Sequence, residues 1–433
     1  MSTGAQDRYA PAGAISGELA VPGDKSISHR AVMVASLCDG EVAVEGFGAS
    51  ADTMATVEAM RALGVEIEQP APDALRIRGV GLRGLRAPAE RIDVHNAGTL
   101  MRLLPGILAG QTGEFVLDGD ESIRRRPMGR IAAPLEQMGV ALETTEGCPP
   151  VRMSVSGVVE PITYRLPVAS AQVKSCVLLA GLFTGHGMTI VEEPVPTRDH
   201  TERMLRQAGA PVDRRPGRVA VSPVATLHLD DVQVPGDFSS AAPFIVAATV
   251  VQGSGLTLRG IGINPTRTGL LTVMERMGAR VGLFNRRLAG AEPVADIEVR
   301  PAELVATEVE PEIVPGLIDE LPLVALLACF AHGVTTIRGA GELRVKESDR
   351  IATVATALNA VGGHVTALED GFRIRGVPSR LRGGTVDAAG DHRVAMLGAV
   401  AGVCSQHGVD VHGSDALGVS FPDFGDRLAG VTA

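Results

Sequence analysis

Two kinds of apolar pattern alternate along the chain. In one, nearly every position is apolar: "AVMVASL" (31–37), "LMRLLPGILAG" (100–110), "VKSCVLLAGLF" (173–183), "AAPFIVAATVV" (241–251), "LPLVALLACFA" (321–331) and "RVAMLGAVAGV" (393–403). In the other, apolar residues recur at helical spacing, as in Val57, Met60 and Leu63 or Ile351, Val354, Leu358 and Val361, with polar residues between them. A helix apolar on every side belongs inside a domain, whereas a one-sided helix lies over a sheet or at the surface. Each one-sided stretch closes in a similar phrase: "MRALGV", "LEQMGV", "LRQAGA", "MERMGA", "LNAVGG" and, at the chain end, "DRLAGV". The glycine of each phrase (Gly64, Gly139, Gly209, Gly278, Gly362, Gly430) fits the left-handed position that ends a helix. Short alternating runs such as "EVAVEGF" and "GVTTIRGA" read as strands. The repeating unit is therefore strand, inner helix, strand, outer helix, then one or two strands, with a period of roughly 65 to 80 residues.

Six such units predict an α/β protein of two similar domains, three units in each. "VPGD" occurs at Val21–Asp24 and again at Val234–Asp237. These are the expected crossings between domains, giving one domain over 24–235 and a second over 1–23 plus 236–433.

Polar residues crowd the entrances of the inner helices: "DKSISHR", "HNAGTLMR", "ASAQVKS", "GDFSSA", "LIDELP" and "GDHR". The opening turn of a helix presents free N–H groups and a positive dipole end, which attract anions. Cations there oppose the dipole, so Lys25, Arg30, Arg102, Lys174, Lys346, Arg350 and Arg393 make sense together if they converge on a phosphate- or carboxylate-bearing ligand. An ordinary cap by Ser26 or Ser28, with Lys25 and Arg30 merely solvated, is the plain alternative at the first entrance.

The overall balance narrows the ligand. A formal charge of -10 over 433 residues, with no Trp and only 2 Tyr and 10 Phe, argues against nucleic acid as partner. The anion is then small. The five cysteines show no metal-ligand spacing and mostly sit in apolar runs, as buried thiols of a reducing compartment would. No secretory signal is evident at the start, and no apolar run reaches the roughly 20 residues of a membrane span. A cytoplasmic protein is expected.

Eight segments, in order, carry a resemblance over essentially the whole chain: "GDKSISHR", "NAGTLMR", "RRRPMGR", "SAQVKS", "PTRDHTERML", "IDELP", "RVKESDR" and "DHRVAM". The chain resembles the enolpyruvyl transferases, in particular the branch acting on shikimate 3-phosphate. The resemblance implies two domains of three βαβαββ units, of the inside-out α/β barrel type, joined by a two-stranded hinge and closing over shikimate 3-phosphate and phosphoenolpyruvate. It implies a monomer, and addition followed by elimination through a tetrahedral intermediate, chemistry that calls for neither metal nor cofactor. By that resemblance Lys25 touches both substrates, and Ser26, Arg30, Ser170, Gln172, Arg198, Asp319 and Lys346 hold shikimate 3-phosphate. Gly98, Arg126, Gln172, Arg350 and Arg393 serve phosphoenolpyruvate, with Arg102 a neighbour. Asp319 takes the proton of the attacking 5-hydroxyl, and Glu347, with Lys25 or Lys346 sharing the work, protonates the methylene carbon. Taken alone, Asp319 reads equally as a helix cap and Glu347 as an exposed first-turn acid.

Lys174, the "TRDHTE" stretch and Val419 resemble a divergent bacterial subclass that often tolerates glyphosate, whereas Gly98 does not fit it and Leu103 stands where a proline is frequent. Inhibitor response stays open at this point. The UDP-N-acetylglucosamine branch of the family typically has Lys-Asn in its first motif and a cysteine in the loop before the Arg-Pro pair. Here Ser26 follows Lys25, and Glu121 lies about where that cysteine would be. A non-catalytic anion-binding homologue would be expected to lose Lys25, Asp319 or Glu347, and all three are present.

Overall fold

The computed structural model describes residues 5–433. The described chain falls into two compact units, one of Gly23–Val234 with Leu288–Glu292, the other of residues 5–22, Pro235–Arg287 and Pro293–Ala433.

In the first unit the inner helices are α1 (Lys25–Ser36), α3 (Gly98–Leu108) and α6 (Ala171–Gly181). The outer ones are α2 (Ala51–Ala62), α5 (Gly129–Gln137) and α7 (His200–Gln207), with a single turn, α4 (Glu121–Arg124), before α5. The second unit repeats the scheme with inner helices α8 (Phe238–Val250), α10 (Leu321–Cys329) and α12 (His392–Val403) and outer helices α9 (Gly269–Arg276), α11 (Arg350–Ala360) and α13 (Phe424–Val431). Each unit encloses its own apolar core, which the inner helices fill from all sides. Each fully buried Leu or Val there contributes about 2 kcal/mol.

Six small sheets wrap these helices. Asp39–Glu45 pairs parallel with Val232–Gln233 on one side and antiparallel with Ala74–Val80 on the other, and Glu66–Ala71 completes the sheet. The same order recurs around Thr112–Asp118 and Thr189–Glu192. It recurs again around Gly255–Gly262 and Val334–Ile337 in the second unit. The sixth sheet has three strands. There Val409–His412 pairs parallel with Gly384–Asp387, and Gln6–Tyr9, from the other end of the chain, takes the antiparallel side.

Five of the six closing glycines take the left-handed backbone expected of them, with φ of 95° at Gly64, 87° at Gly139, 87° at Gly209, 84° at Gly278 and 99° at Gly362. The sixth expectation needs correction. Gly430 lies within α13, which ends one residue later where Thr432 turns extended and bridges to Ile15. No helix among the described residues is long and apolar enough to cross a membrane. All five cysteines are free thiols. Burial pushes Cys38, Cys176, Cys329 and Cys404 up to about 12, so they stay protonated and inert.

Candidate functional site

In the first unit, the openings of the inner helices carry an interlocked polar group. Asp24, not a serine, caps α1 by accepting from the backbone N of Ile27 at 2.9 Å. That releases the side chains of the first turn for other work. Lys25, the first residue of α1, places Nζ 2.8 Å from Asp52 Oδ2 near the start of α2. Arg30, one turn further, is buried. It donates from Nε to Thr201 Oγ1 at 2.7 Å, from Nη2 to Ser175 Oγ at 2.9 Å and from Nη1 to the Ser26 carbonyl at 2.9 Å. Burial pushes its pKa down to about 10, against the pull of Glu202, so Arg30 is cationic at neutral pH. Arg198, half-buried, is close enough to add to the positive field there. His29, beside it on α1, is fully buried and pushed down to about 3, hence neutral, with Nδ1 2.6 Å from Thr56 Oγ1.

The entrances of α3 and α6 meet. Ser170 caps α6, and Gln172 accepts from Arg102 Nη1 at 3.2 Å and donates to Thr99 Oγ1 at 3.2 Å. Arg126, behind α4, donates from Nη2 to Asn96 Oδ1 at 2.8 Å, and Asn96 in turn donates to Asp120 at 2.7 Å. Gly98 opens α3 directly beneath the two arginines. A Cβ at that position would stand 2.6 Å from Arg126 Nη1 and 3.0 Å from Arg102 Nη1.

Lys174 departs from its expected place. It is 0% exposed, with Nζ 2.9 Å from Glu193, 2.8 Å from Glu202 and 3.2 Å from the Thr197 carbonyl. Two buried carboxylates hold it inside the unit, so it is no member of an exposed cationic cluster. The helix it stands on is buried on all sides, so any charge there has to meet a buried counter-charge.

The second unit gathers Asp319, Lys346, Glu347, Arg350 and Arg393 around the openings of α10, α11 and α12. Arg350, buried at the first position of α11, donates to Glu347 Oε2 at 2.6 Å and to both oxygens of Asp391 at 2.8 and 3.2 Å. Its Nη1 lies 3.6 Å from Asp319 Oδ1, and Lys346 Nζ lies 4.0 Å from the same oxygen. Neither plain reading of the acids holds here. Asp319 precedes the Glu320 cap position, and Glu347 stands outside α11, whose cap is Asp349. Burial works against the Arg350 charge, but Glu347 and Asp391, with Asp319, outweigh it and raise its pKa. Arg393 Nη1 lies 3.8 Å from the buried Glu320, which also accepts from Ser239 Oγ on α8; Arg267 in turn donates to Ser239 and to Asp237.

Asp391 caps α12 through the backbone N of Arg393 at 2.9 Å while gripping Arg350, so one carboxylate sets the attitude of two arginines. Burial alone would raise its pKa; Arg350 outweighs burial and lowers it below the ordinary 3.8. A lowered carboxylate contributes stability that is complete above its unfolded value and is lost as pH falls through the folded one. Asp391→Asn is therefore expected to destabilise the protein by a constant amount above about pH 4, with the gap to the native protein narrowing at more acid pH. Urea unfolding from pH 7 to pH 3 checks this, and a gap that widens on acidification would contradict it.

Asp52 lies outside every quoted motif, and Asp391, Glu320, Ser175 and Thr201 lie inside motifs that do not mark them as partners of the site residues. Each is an ordinary polar residue in sequence, and only tertiary pairing discloses it.

The family model for EPSP synthase (3-phosphoshikimate 1-carboxyvinyltransferase) matches residues 9–428. The 3-phosphoshikimate 1-carboxyvinyltransferase of Desulforudis audaxviator is 49% identical over 97% of this chain and 98% of its own length. That of Pelotomaculum thermopropionicum is 50% identical over 96% of each. Among solved structures, EPSP synthase from Acinetobacter baumannii superposes with a TM-score of 0.88 at 42% identity, covering 99% of this chain and 98% of that one. The enolpyruvyl transferase NikO from Streptomyces tendae shares the fold, with a TM-score of 0.80 at 20% identity over 99% and 98% of the two chains.

Proposed function

Because the chain belongs to the EPSP synthase family, the 3-phosphoshikimate 1-carboxyvinyltransferases, we propose that the polar clusters of its two units divide the work of that reaction between them. The enzyme transfers the enolpyruvyl group of phosphoenolpyruvate to the 5-hydroxyl of shikimate 3-phosphate and releases phosphate, on the shikimate pathway to chorismate and the aromatic amino acids.

In this reading Lys25, Ser26, Arg30, Ser170, Gln172 and Arg198 hold shikimate 3-phosphate, together with Asp319 and Lys346. Lys25, Gly98, Arg126, Gln172, Arg350 and Arg393 hold phosphoenolpyruvate. Asp319 accepts the proton of the 5-hydroxyl as its oxygen attacks C2 of the enolpyruvyl group, and Glu347 delivers a proton to the methylene carbon. Loss of phosphate and of a methyl proton from the resulting tetrahedral adduct restores the double bond. General acid and base groups with fixed cations are sufficient for both steps. The observation that carries this reading is the grouping of Asp319, Lys346 and Glu347 around one buried arginine. Lys346 and Arg350 both lie against Asp319, and Arg350 gives both acids fixed positions.

A phosphate-release assay tests the whole proposal. Release is expected with phosphoenolpyruvate plus shikimate 3-phosphate and not with UDP-N-acetylglucosamine; the converse would overturn it. We further take the enzyme to be a cytoplasmic monomer, in keeping with its buried free thiols. Light scattering should then give the mass of one chain.

Gly98→Ala supplies a sharper probe. The new methyl meets the ends of two flexible side chains rather than backbone, so the fold is expected to survive with an unchanged melting temperature. Both guanidinium groups must shift, and the Michaelis constant for phosphoenolpyruvate is expected to rise by about tenfold. Glyphosate, which resembles phosphoenolpyruvate but extends further, should inhibit the native enzyme competitively with it and lose more affinity than the substrate does. Inhibition constants for both proteins decide the matter, and a native enzyme already insensitive at millimolar glyphosate would refute it.

A further inference from the structure

We propose that Thr201 and Ser175 are positioning residues for Arg30, fixing the direction from which that arginine meets its anion; this rests on the reading that Arg30 holds shikimate 3-phosphate. A guanidinium has five N–H bonds in one plane. Arg30 spends the Nε bond on Thr201 Oγ1, one Nη2 bond on Ser175 Oγ and one Nη1 bond on the Ser26 carbonyl. What remains is one N–H on each Nη, while the side shared by Nε and Nη2 is occupied by the two hydroxyls. The anion is thereby kept off that side and meets the Nη end of the group.

The two hydroxyls lie 2.6 Å apart and are themselves hydrogen-bonded, so they face the side of the guanidinium as a joined pair of acceptors. Their neutrality matters as much as their place. A carboxylate in the same spot would orient Arg30 equally well but would neutralise it and compete with the substrate. Arg350 shows that other arrangement, with Glu347 and Asp391 holding it directly. Of the carboxylates that act on Arg30, the strongest, Glu202, is held instead by Lys174 at 2.8 Å, and Asp24 caps α1. Orientation comes from the hydroxyls, and the charge is left for the ligand.

Thr201→Val keeps the side-chain shape and removes the acceptor; Ser175→Ala removes the other. Each is expected to raise the Michaelis constant for shikimate 3-phosphate by about tenfold, the effect of losing a hydrogen bond to a charged group, with kcat and the phosphoenolpyruvate constant changing by less than about twofold. Thr201→Ser, which restores the hydroxyl, is expected to recover native values. A purely structural role would instead move both substrates' constants together, or would lower the melting temperature without the split. Arg30→Lys separates the two levels of the argument. If that variant raises the shikimate 3-phosphate constant while Thr201→Val and Ser175→Ala leave it within twofold, the positioning role is wrong. If Arg30→Lys also leaves it unchanged, the assignment of Arg30 itself falls. Should Thr201→Val fail to fold, Ser175→Ala carries the same test.

Discussion

Replacing Lys25 with alanine is expected to lower kcat/KM by about a thousandfold, the scale on which enzymes lose rate when one fixed donor to developing negative charge is deleted. Lys25 sits where the free N–H groups of α1 begin, and its ammonium lies against Asp52. That carboxylate holds the flexible side chain in one place, so the charge is ready before substrate arrives. In the alanine variant the negative charge of Asp52 is left without its lysine, where the proposed reading puts two anionic substrates. Arginine should recover only part of the loss, because a planar fork cannot stand in for a compact ammonium at the same spot. Steady-state kinetics with each substrate varied in turn measures the effect; a loss smaller than tenfold would remove Lys25 from the machinery. The fold itself should be little changed, since Lys25 is partly exposed and the α1 core contacts begin at Ile27.

Arg350→Ala is expected to damage stability as well as activity. Three carboxylates, Glu347, Asp391 and Asp319, are arranged about this one buried cation. Removing one partner of a buried ion pair typically costs about 3–5 kcal/mol, because the partner's charge stays behind in a poorly solvating environment. Asp391 is the residue that suffers, being wholly buried, and its distress passes to α12 through the cap it forms there. The second unit should therefore unfold at clearly lower urea concentration, and activity should be lost even where the protein is still folded. Arg350→Lys, which keeps the charge but not the fork, is expected to retain most of the stability and little of the activity. Urea titration followed alongside turnover separates the two; a native unfolding midpoint in Arg350→Ala would show that the carboxylates are satisfied in some other way.

Much of the architecture is legible in the sequence because it repeats. An all-apolar run and a one-sided run carry different periodic signatures, and a glycine that ends a helix left-handedly has few alternatives. The entrances of the inner helices stand out for the same reason, as polar clusters interrupting apolar text. What the sequence hides is pairing. Lys25 and Asp52 are 27 positions apart, Ser239 and Glu320 81, and Arg30 and Thr201 171, and nothing in the intervening residues says that they meet. Lys174 is the instructive case. From its motif it looks like one more cation at a helix entrance, yet it lies on a helix that is buried from Val173 onward. That surrounding pattern was the signal that its partners, Glu193 and Glu202, had to be buried with it. Gly430 fails differently: its helix runs one residue past the glycine, and Thr432, extended and bridged to Ile15, ends it without a left-handed turn.

Edge strands drawn from distant parts of the chain have a consequence for the order in which the molecule comes into being. Nearly all of the first unit is one unbroken stretch, closed when Val232–Gln233 reaches Asp39–Glu45. On the ribosome, where domains fold as they emerge, that stretch can finish while most of the second unit is still unmade. The strands that precede it have no such fortune. Ser16–Leu19 must wait for Gly255–Gly262, and Gln6–Tyr9 must wait for Val409–His412, some twenty residues from the end of the chain. Gln6–Tyr9 is thus among the earliest described strands to be made and among the last to be paired, and until then its open edge depends on the nascent chain's own neighbours, or on chaperones, to keep it from pairing with something else.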